Sequence, residues 1–279
     1  MKDNLIAAVV IYNMKIEESI TCQNLEKLYF KIVYIVDNST KDMGNSIIAA
    51  KKGWKYIDMH GNKGLPRAYN RVIELLEYKE NDIIIWLDDD SHLTKKYLIT
   101  LQNSVYNYPE IDIFVPIIMG QNGKFYSPNE KHFFKNKQMK RPSDIINPRR
   151  FNAINSCTAV RLRIYKDYKY DERMFLDQVD HKFFDDQRKR NKKFMKLNVI
   201  IEHNFSLKNK KLSPQVAWKR YDIMIPDFMT YCNTNIASRI LGFIKVLGWG
   251  VRETKNYKNP IFIYWCIKKY ITSYKETIN

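Results

Sequence analysis

Short apolar runs alternate with segments of helical spacing through the first half of the chain. Leu5–Tyr12, Lys31–Val36, Lys55–Met59, Ile83–Leu87 and Ile111–Ile118 read as strands, because each is brief and bounded by polar residues. Between them, Ile16–Leu28, Lys41–Lys52, Pro66–Tyr78 and Lys95–Tyr106 read as helices. Pro66 stands early in its helix, where proline is tolerated. Strands alternating with helices predict an α/β fold, a mostly parallel central sheet with helices on both faces. From about Gly120 to Arg150 the pattern is irregular, with glycines and prolines among many lysines, which predicts a long loop or a short hairpin insert. Ala153–Arg163 then reads as extended, Phe175–Lys189 as helical and Asn198–Glu202 as a last strand ending at His203.

From Pro214 onward the pattern changes. Aromatic and apolar residues are interleaved with single cations, and Ile236–Val251 and Pro260–Ile271 predict C-terminal amphipathic helices. Such helices pack on a domain, lie on a membrane, or do both. The expected division is a domain of residues 1–213 and a helical extension of residues 214–279. No run of about 18 apolar residues exists, so a spanning helix is not expected. Leu5–Tyr12 is too short for a signal-peptide core and reads as a buried strand.

Charge narrows the partners. The formal net charge of +17 over 279 residues favours phosphates, nucleic acid or an anionic membrane surface. Arg188–Arg220 holds eleven basic residues against one acid, Glu202. Beside aromatic, amphipathic helices this run reads as attraction to anionic headgroups. The four cysteines are scattered and form no CxxC pair, which disfavours a cysteine zinc site and a disulfide scaffold and fits a reducing cytoplasm.

The most informative segment is Ile83–Ser91, where five apolar residues run into Asp88, Asp89, Asp90 and Ser91. Three carboxylates at the end of a buried strand repel one another and need water or a cation. A divalent metal carrying a phosphate-bearing substrate answers that need. Ligands of parallel sheets bind outside the carboxyl ends of strands, and Asp37 lies at a second such end. On an extended strand end Asp88 and Asp90 point to one side of Asp89.

Taken together, Val9–Asn13 (VVIYN), Val36–Thr40 (VDNST), Asn62–Asn70 (NKGLPRAYN), Leu87–Ser91 (LDDDS) and Phe175–Asp180 (FLDQVD) resemble the inverting family 2 glycosyltransferases of GT-A fold. The pattern is similar to the rhamnosyltransferase and galactofuranosyltransferase-like branch of bacterial polysaccharide synthesis, over roughly residues 5–205. The resemblance implies a metal-dependent transfer from a UDP- or dTDP-sugar to a saccharide acceptor. Asp88 and Asp90 would bind Mn2+ or Mg2+, with His203 as a third ligand and Asp89 turned toward ribose or structure. Asp37 would contact the base or ribose, Asn62 and Gly64 would shape the nucleotide loop, and Arg67 would approach the pyrophosphate. Asn155 and Ser156 would lie near donor sugar and acceptor. Asp180 would be the general base, with Asp177, three residues away on the same helix face, as its rival. The chain departs from the family pattern at Cys157, where a glycine is frequent, and at Lys182 and Asp186. With the basic C-terminal helices, the expected acceptor is lipid-linked and the expected location is cytoplasmic, peripheral on the inner face of the cell membrane.

Other classes fit less well. A nucleic-acid-binding protein would account for the charge, but the carboxylate cluster would repel phosphates without a metal. A nucleotidyltransferase usually wants an N-terminal glycine-rich loop, and residues 1–30 contain no glycine. A scaffold without catalysis would not need all of these carboxylates.

Overall fold

The computed structural model describes residues 4–77, 79–133, 135–203 and 213–278. Tyr78, the expected end of one helix, and residues 204–212, the centre of the basic run, lie outside the described residues. The chain divides into two compact units, one of residues 1–170 with 183–205 and one of residues 171–182 with 206–279.

The first unit is built on an eight-stranded sheet. Its first strands and helices follow in order: β1 (Leu5–Ile11), α1 (Ile20–Lys27), β2 (Ile32–Asp37), α2 (Asn45–Lys51), β3 (Lys55–Asp58), α3 (Leu65–Leu75), β4 (Ile83–Leu87), α4 (Lys95–Asn107) and β5 (Ile113–Gly120). Short strands β6 (Phe125–Ser127), β7 (Asn129–Glu130), β8 (Lys137–Gln138) and β9 (Phe151–Asn152) precede β10 (Thr158–Arg161), α5 (Val179–Lys189) and β11 (Phe194–His203). The sheet order is β11-β5-β10-β4-β1-β2-β3, with β6 beside β5. β3, β2, β1 and β4 pair in parallel, as do β5 and β11. All five residues of β4 are buried, which is why this strand is a continuous apolar run rather than an alternating one.

Two local expectations need correction. The extended segment Ala153–Arg163 is a strand only over Thr158–Arg161, and it runs antiparallel between β4 and β5. Cys157 turns the chain into it at φ +58°, a left-handed conformation that explains a glycine preference there. Of the two expectations for the irregular region 120–150, the hairpin insert forms: β7 and β8 pair antiparallel and join β9 in a small sheet. The helical reading of Phe175–Lys189 holds only from Val179, because Gln178 takes φ +62°. Asp177 is therefore outside the helix, and it does not share a helix face with Asp180.

In the second unit, α6 (Pro214–Cys232), α7 (Ile236–Tyr257) and α8 (Ile261–Ile278) enclose Tyr221, Ile225, Phe228, Met229, Cys232, Val246 and Cys266. Gly242, Val246 and Gly250 recur every fourth residue on the buried side of α7. A Cβ on Gly250 would stand 3.0 Å from the Ile263 Cα, so a larger residue there would have to push α8 back from α7. No described helix is long and apolar enough to cross a membrane.

Candidate active site

The acidic loop after β4 is held from below by the start of α1. The Ser19 hydroxyl donates to the Asp89 carbonyl at 2.7 Å. The Thr21 hydroxyl donates to the Asp88 carbonyl and accepts the Ser91 N–H at 2.7 Å. Ser19 and Thr21 are both fully buried, so these bonds are shielded from water. On the other side, the Ser91 and Ser156 hydroxyls share a hydrogen bond of 2.9 Å. Sequence reading missed Ser19 and Thr21, and their only signal was a pair of hydroxyls opening a helix. Their effect is to fix the backbone from which Asp88, Asp89 and Asp90 project.

Asp88 and Asp90 meet His203 at the end of β11, and one ligand atom from each lies within 4.8 Å of the others. His203 Nδ1 is 3.8 Å from Asp90 Oδ1. Two carboxylates and an imidazole converging from two strand ends form a donor set suited to Mn2+ or Mg2+. The half-buried loop also resists a second negative charge. Burial, with the Asp90 charge second, pushes the Asp89 carboxyl up to about 6. A recess of about 350 Å3, bordered by His92, Gln121, Glu202 and His203, opens beside the cluster.

The segment leading into β10 lies against this loop. Burial pushes the Cys157 thiol up to about 12, with Ser91 opposing the shift and the Asp88 charge adding to it. The neighbouring Asn155 is 5% exposed, and neither end of its side-chain amide has a hydrogen-bond partner. A buried amide with both ends unsatisfied is costly, and a polar ligand would satisfy it.

Asp37 is buried at the end of β2. Its Oδ1 accepts the Ser39 N–H, and its Oδ2 accepts from the Asn45 amide at 2.8 Å and the Tyr56 hydroxyl at 3.0 Å. A carboxylate offers about four acceptor positions, so one remains for a ligand. Asn38 joins this strand end to the next loop. Its amide donates to Asn62 Oδ1 at 3.0 Å, and its Oδ1 accepts the Lys63 N–H at 2.8 Å. Gly64 enters α3 at φ +84°, which a Cβ would strain. Arg67 lies exposed in the first turn of α3. Asn70, at the end of the same motif, exchanges two hydrogen bonds with the Tyr170 backbone.

Asp177 and Asp180 belong to the second unit. The carboxylate of Asp227 on α6, 2% exposed, accepts the N–H groups of Phe175, Leu176 and Asp177 at 2.7, 2.7 and 2.6 Å. This capture fixes Phe175–Asp177 ahead of α5, and the left-handed Gln178 separates them from the helix that starts at Val179. The Asp177 carboxylate is gripped by both terminal nitrogens of Arg220. Asp180 sits half-buried in the first turn of α5. Neither Asp227 nor Arg220 was singled out in the sequence, where each reads as one more charge in an apolar helix.

Comparison with known proteins bears on this arrangement. No curated protein sequence matches the chain. Among solved structures, GalNAc-T7 crystallised with UDP, GalNAc and Mn2+ is similar at a TM-score of 0.56 and 12% identity. The likeness covers 79% of this chain and 48% of that one, so this chain spans about half its length. The 2-C-methyl-D-erythritol 4-phosphate cytidylyltransferase of Francisella tularensis matches at a TM-score of 0.39 and 13% identity, over 78% of this chain and 98% of its own. The first likeness establishes the GT-A fold. The glycosyl transferase family 2 profile matches residues 8–169, which run from within β1 through β10 and include the acidic loop and the Asn155–Cys157 turn. Over more than half of its length the chain therefore carries that family's sequence pattern, and it belongs to glycosyl transferase family 2.

Proposed function

We propose that the protein is a divalent-metal-dependent, inverting glycosyltransferase that takes a sugar from a UDP- or dTDP-sugar. The observation that carries this reading is the convergence of Asp88, Asp90 and His203 at the ends of β4 and β11, two strands of one sheet. A divalent ion held there would neutralise the diphosphate as it leaves. Asp37 has an acceptor position left for a base or ribose donor, and Asn62 and Gly64 shape the adjoining loop. Arg67 and Asp89 complete the nucleotide-sugar side, and the unsatisfied Asn155 amide with Ser156 serves sugar and acceptor.

Asp180 is assigned as the general base. It takes the proton from an acceptor hydroxyl whose oxygen attacks the anomeric carbon. The bond to the diphosphate breaks with its electron pair on the leaving oxygen. What favours Asp180 over Asp177 is the bidentate grip of Arg220, which occupies both Asp177 oxygens and holds that carboxylate away from proton transfer.

The acceptor is proposed to be a lipid-linked saccharide in bacterial cell-surface polysaccharide synthesis, of the rhamnosyl- or galactofuranosyltransferase-like branch. Peripheral attachment to the inner face of the cell membrane fits the ten basic and four acidic residues of 213–279. Exposed Ile236, Ile240 and Ile244 on one side of α7 support the same location.

The test is a panel of sugar nucleotides with Mn2+, read as nucleoside diphosphate release and as thermal stabilisation by UDP against dTDP. Release that disappears with EDTA and with Asp88→Ala is the expected result. Failure to bind or hydrolyse any donor overturns the proposal.

A further inference from the structure

A groove of about 410 Å3 runs between α7 and α8, lined by Ile236, Arg239, Ile240, Phe243, Tyr270 and Ile271. That volume falls among those of ligand pockets. Four of the six residues are purely apolar. The Tyr270 hydroxyl is used, donating to the Arg239 carbonyl at 3.3 Å, and its ring packs on Phe243 with centroids 4.8 Å apart. Arg239 is the exception. Its Nε is buried with no hydrogen-bond partner, and no described carboxylate forms an ion pair with it. A cation beside an apolar groove with a buried donor unmet is an unfavourable arrangement until an anion arrives.

The rim has a matching character. Ile236, Ile240 and Ile271 are 73%, 57% and 48% exposed, so large apolar side chains surround the mouth. Clustered exposure of this kind marks an interaction surface. Lys268 is exposed one turn before Ile271 on α8. The required ligand therefore has an apolar chain and an anionic head. A free phosphate would leave the groove empty, and a neutral lipid would leave Arg239 unmet.

We infer that this groove seats a hydrocarbon chain of an anionic bilayer phospholipid, with the Arg239 guanidinium on its phosphate. The inference rests on the membrane-associated reading above and adds the seat and the lipid class. It makes α7 and α8 a lipid-specific contact rather than a general basic surface.

The experiment places an environment-sensitive dye at Ile240→Cys, the native cysteines all being buried. Vesicles of phosphatidylcholine are compared with vesicles containing phosphatidylglycerol, with and without brominated acyl chains. The expected result is a blue shift with the anionic vesicles only and quenching by the brominated chains. A dye at Tyr106→Cys on α4 should not respond. Arg239→Gln should weaken anionic-vesicle binding about tenfold, while Arg239→Lys retains most of it. Ile236→Ser with Ile271→Ser should abolish it at unchanged charge. Equal binding to neutral vesicles, or no effect of Arg239→Gln in a variant of wild-type Tm, overturns the inference. So does loss of a dimer in the groove variants by light scattering, which would make a second copy the occupant. Donor hydrolysis is read on the same samples. Vesicle binding without hydrolysis sinks the enzymatic reading alone, and hydrolysis without vesicle binding sinks this one alone.

Discussion

Asp227→Ala should disable the enzyme from a position that touches no substrate. The Asp227 carboxylate ties down three consecutive N–H groups at 2.6–2.7 Å, those of Phe175, Leu176 and Asp177. Burial pushes this carboxyl above its ordinary value, the three N–H donors oppose that shift, and the Asp177 charge adds to it. A charge-assisted bond contributes about 1.5–3 kcal/mol, so three would sum to roughly 5–9 kcal/mol if nothing replaced them. Leu176 is 39% exposed and its neighbours are half-buried, so water reaches the freed groups. A net loss of about 2–4 kcal/mol is expected, confined largely to residues 175–178. Arg220 still holds the Asp177 side chain, so the segment loosens rather than detaches. A displacement of about 1 Å at the proposed base corresponds to about 100-fold in rate. Steady-state transfer kinetics should therefore show kcat down about 100-fold with donor KM nearly unchanged, beside a lowered Tm. Asp227→Asn keeps one acceptor oxygen and should fall between wild type and Asp227→Ala. Wild-type kcat in Asp227→Ala would refute the reasoning, because the segment would then need no anchor.

Three further outcomes follow from the geometry. Asp90→Asn and His203→Ala should each weaken Mn2+ binding by about tenfold or more in calorimetry, while the fold measured by circular dichroism stays intact. The Asp89 carboxyl, at about 6 in the folded chain against an ordinary 3.8, binds its proton more tightly folded than unfolded. Metal-free protein should then lose stability as pH rises from about 4 through 6, and Mn2+ should raise Tm more at pH 7.5 than at pH 5.5. Gly250→Ala drives a Cβ against the Ile263 Cα and should destabilise by about 1 kcal/mol net of its gain in helix propensity. Gly248→Ala meets nothing within 4 Å and should stabilise by about 0.5–1 kcal/mol in the same thermal melts.

The parallel half of the sheet was legible because β4 and its neighbours are buried on both faces, which leaves an uninterrupted apolar run in the sequence. The acidic loop was legible for the complementary reason, that carboxylates after such a run have no packing role. What escaped was pairing direction and capture. Thr158–Arg161 carries the composition of any strand, and its antiparallel place between β4 and β5 depends on the left-handed turn at Cys157. Likewise FLDQVD has helical spacing, and the left-handed Gln178 keeps its first half out of the helix, with Asp227, fifty residues further along, holding the N–H groups before it.

That last capture changes how the two carboxylates are distinguished. On one helix face, Asp177 and Asp180 would be near equivalents three residues apart, and sequence alone gives no reason to prefer either. In the folded chain they have different surroundings, one in a loop and locked to Arg220, the other in the first turn of α5. Breaking the lock separates their roles. If Asp177 only orients the acceptor, Arg220→Met should raise acceptor KM, and Asp177→Asn should keep a measurable kcat. Were Asp177 the base, Asp177→Asn would lower kcat about 10²–10⁴-fold and Asp180→Asn would retain turnover. Which of Asp177→Asn and Asp180→Asn keeps turnover, read in steady-state transfer kinetics, decides between the two carboxylates.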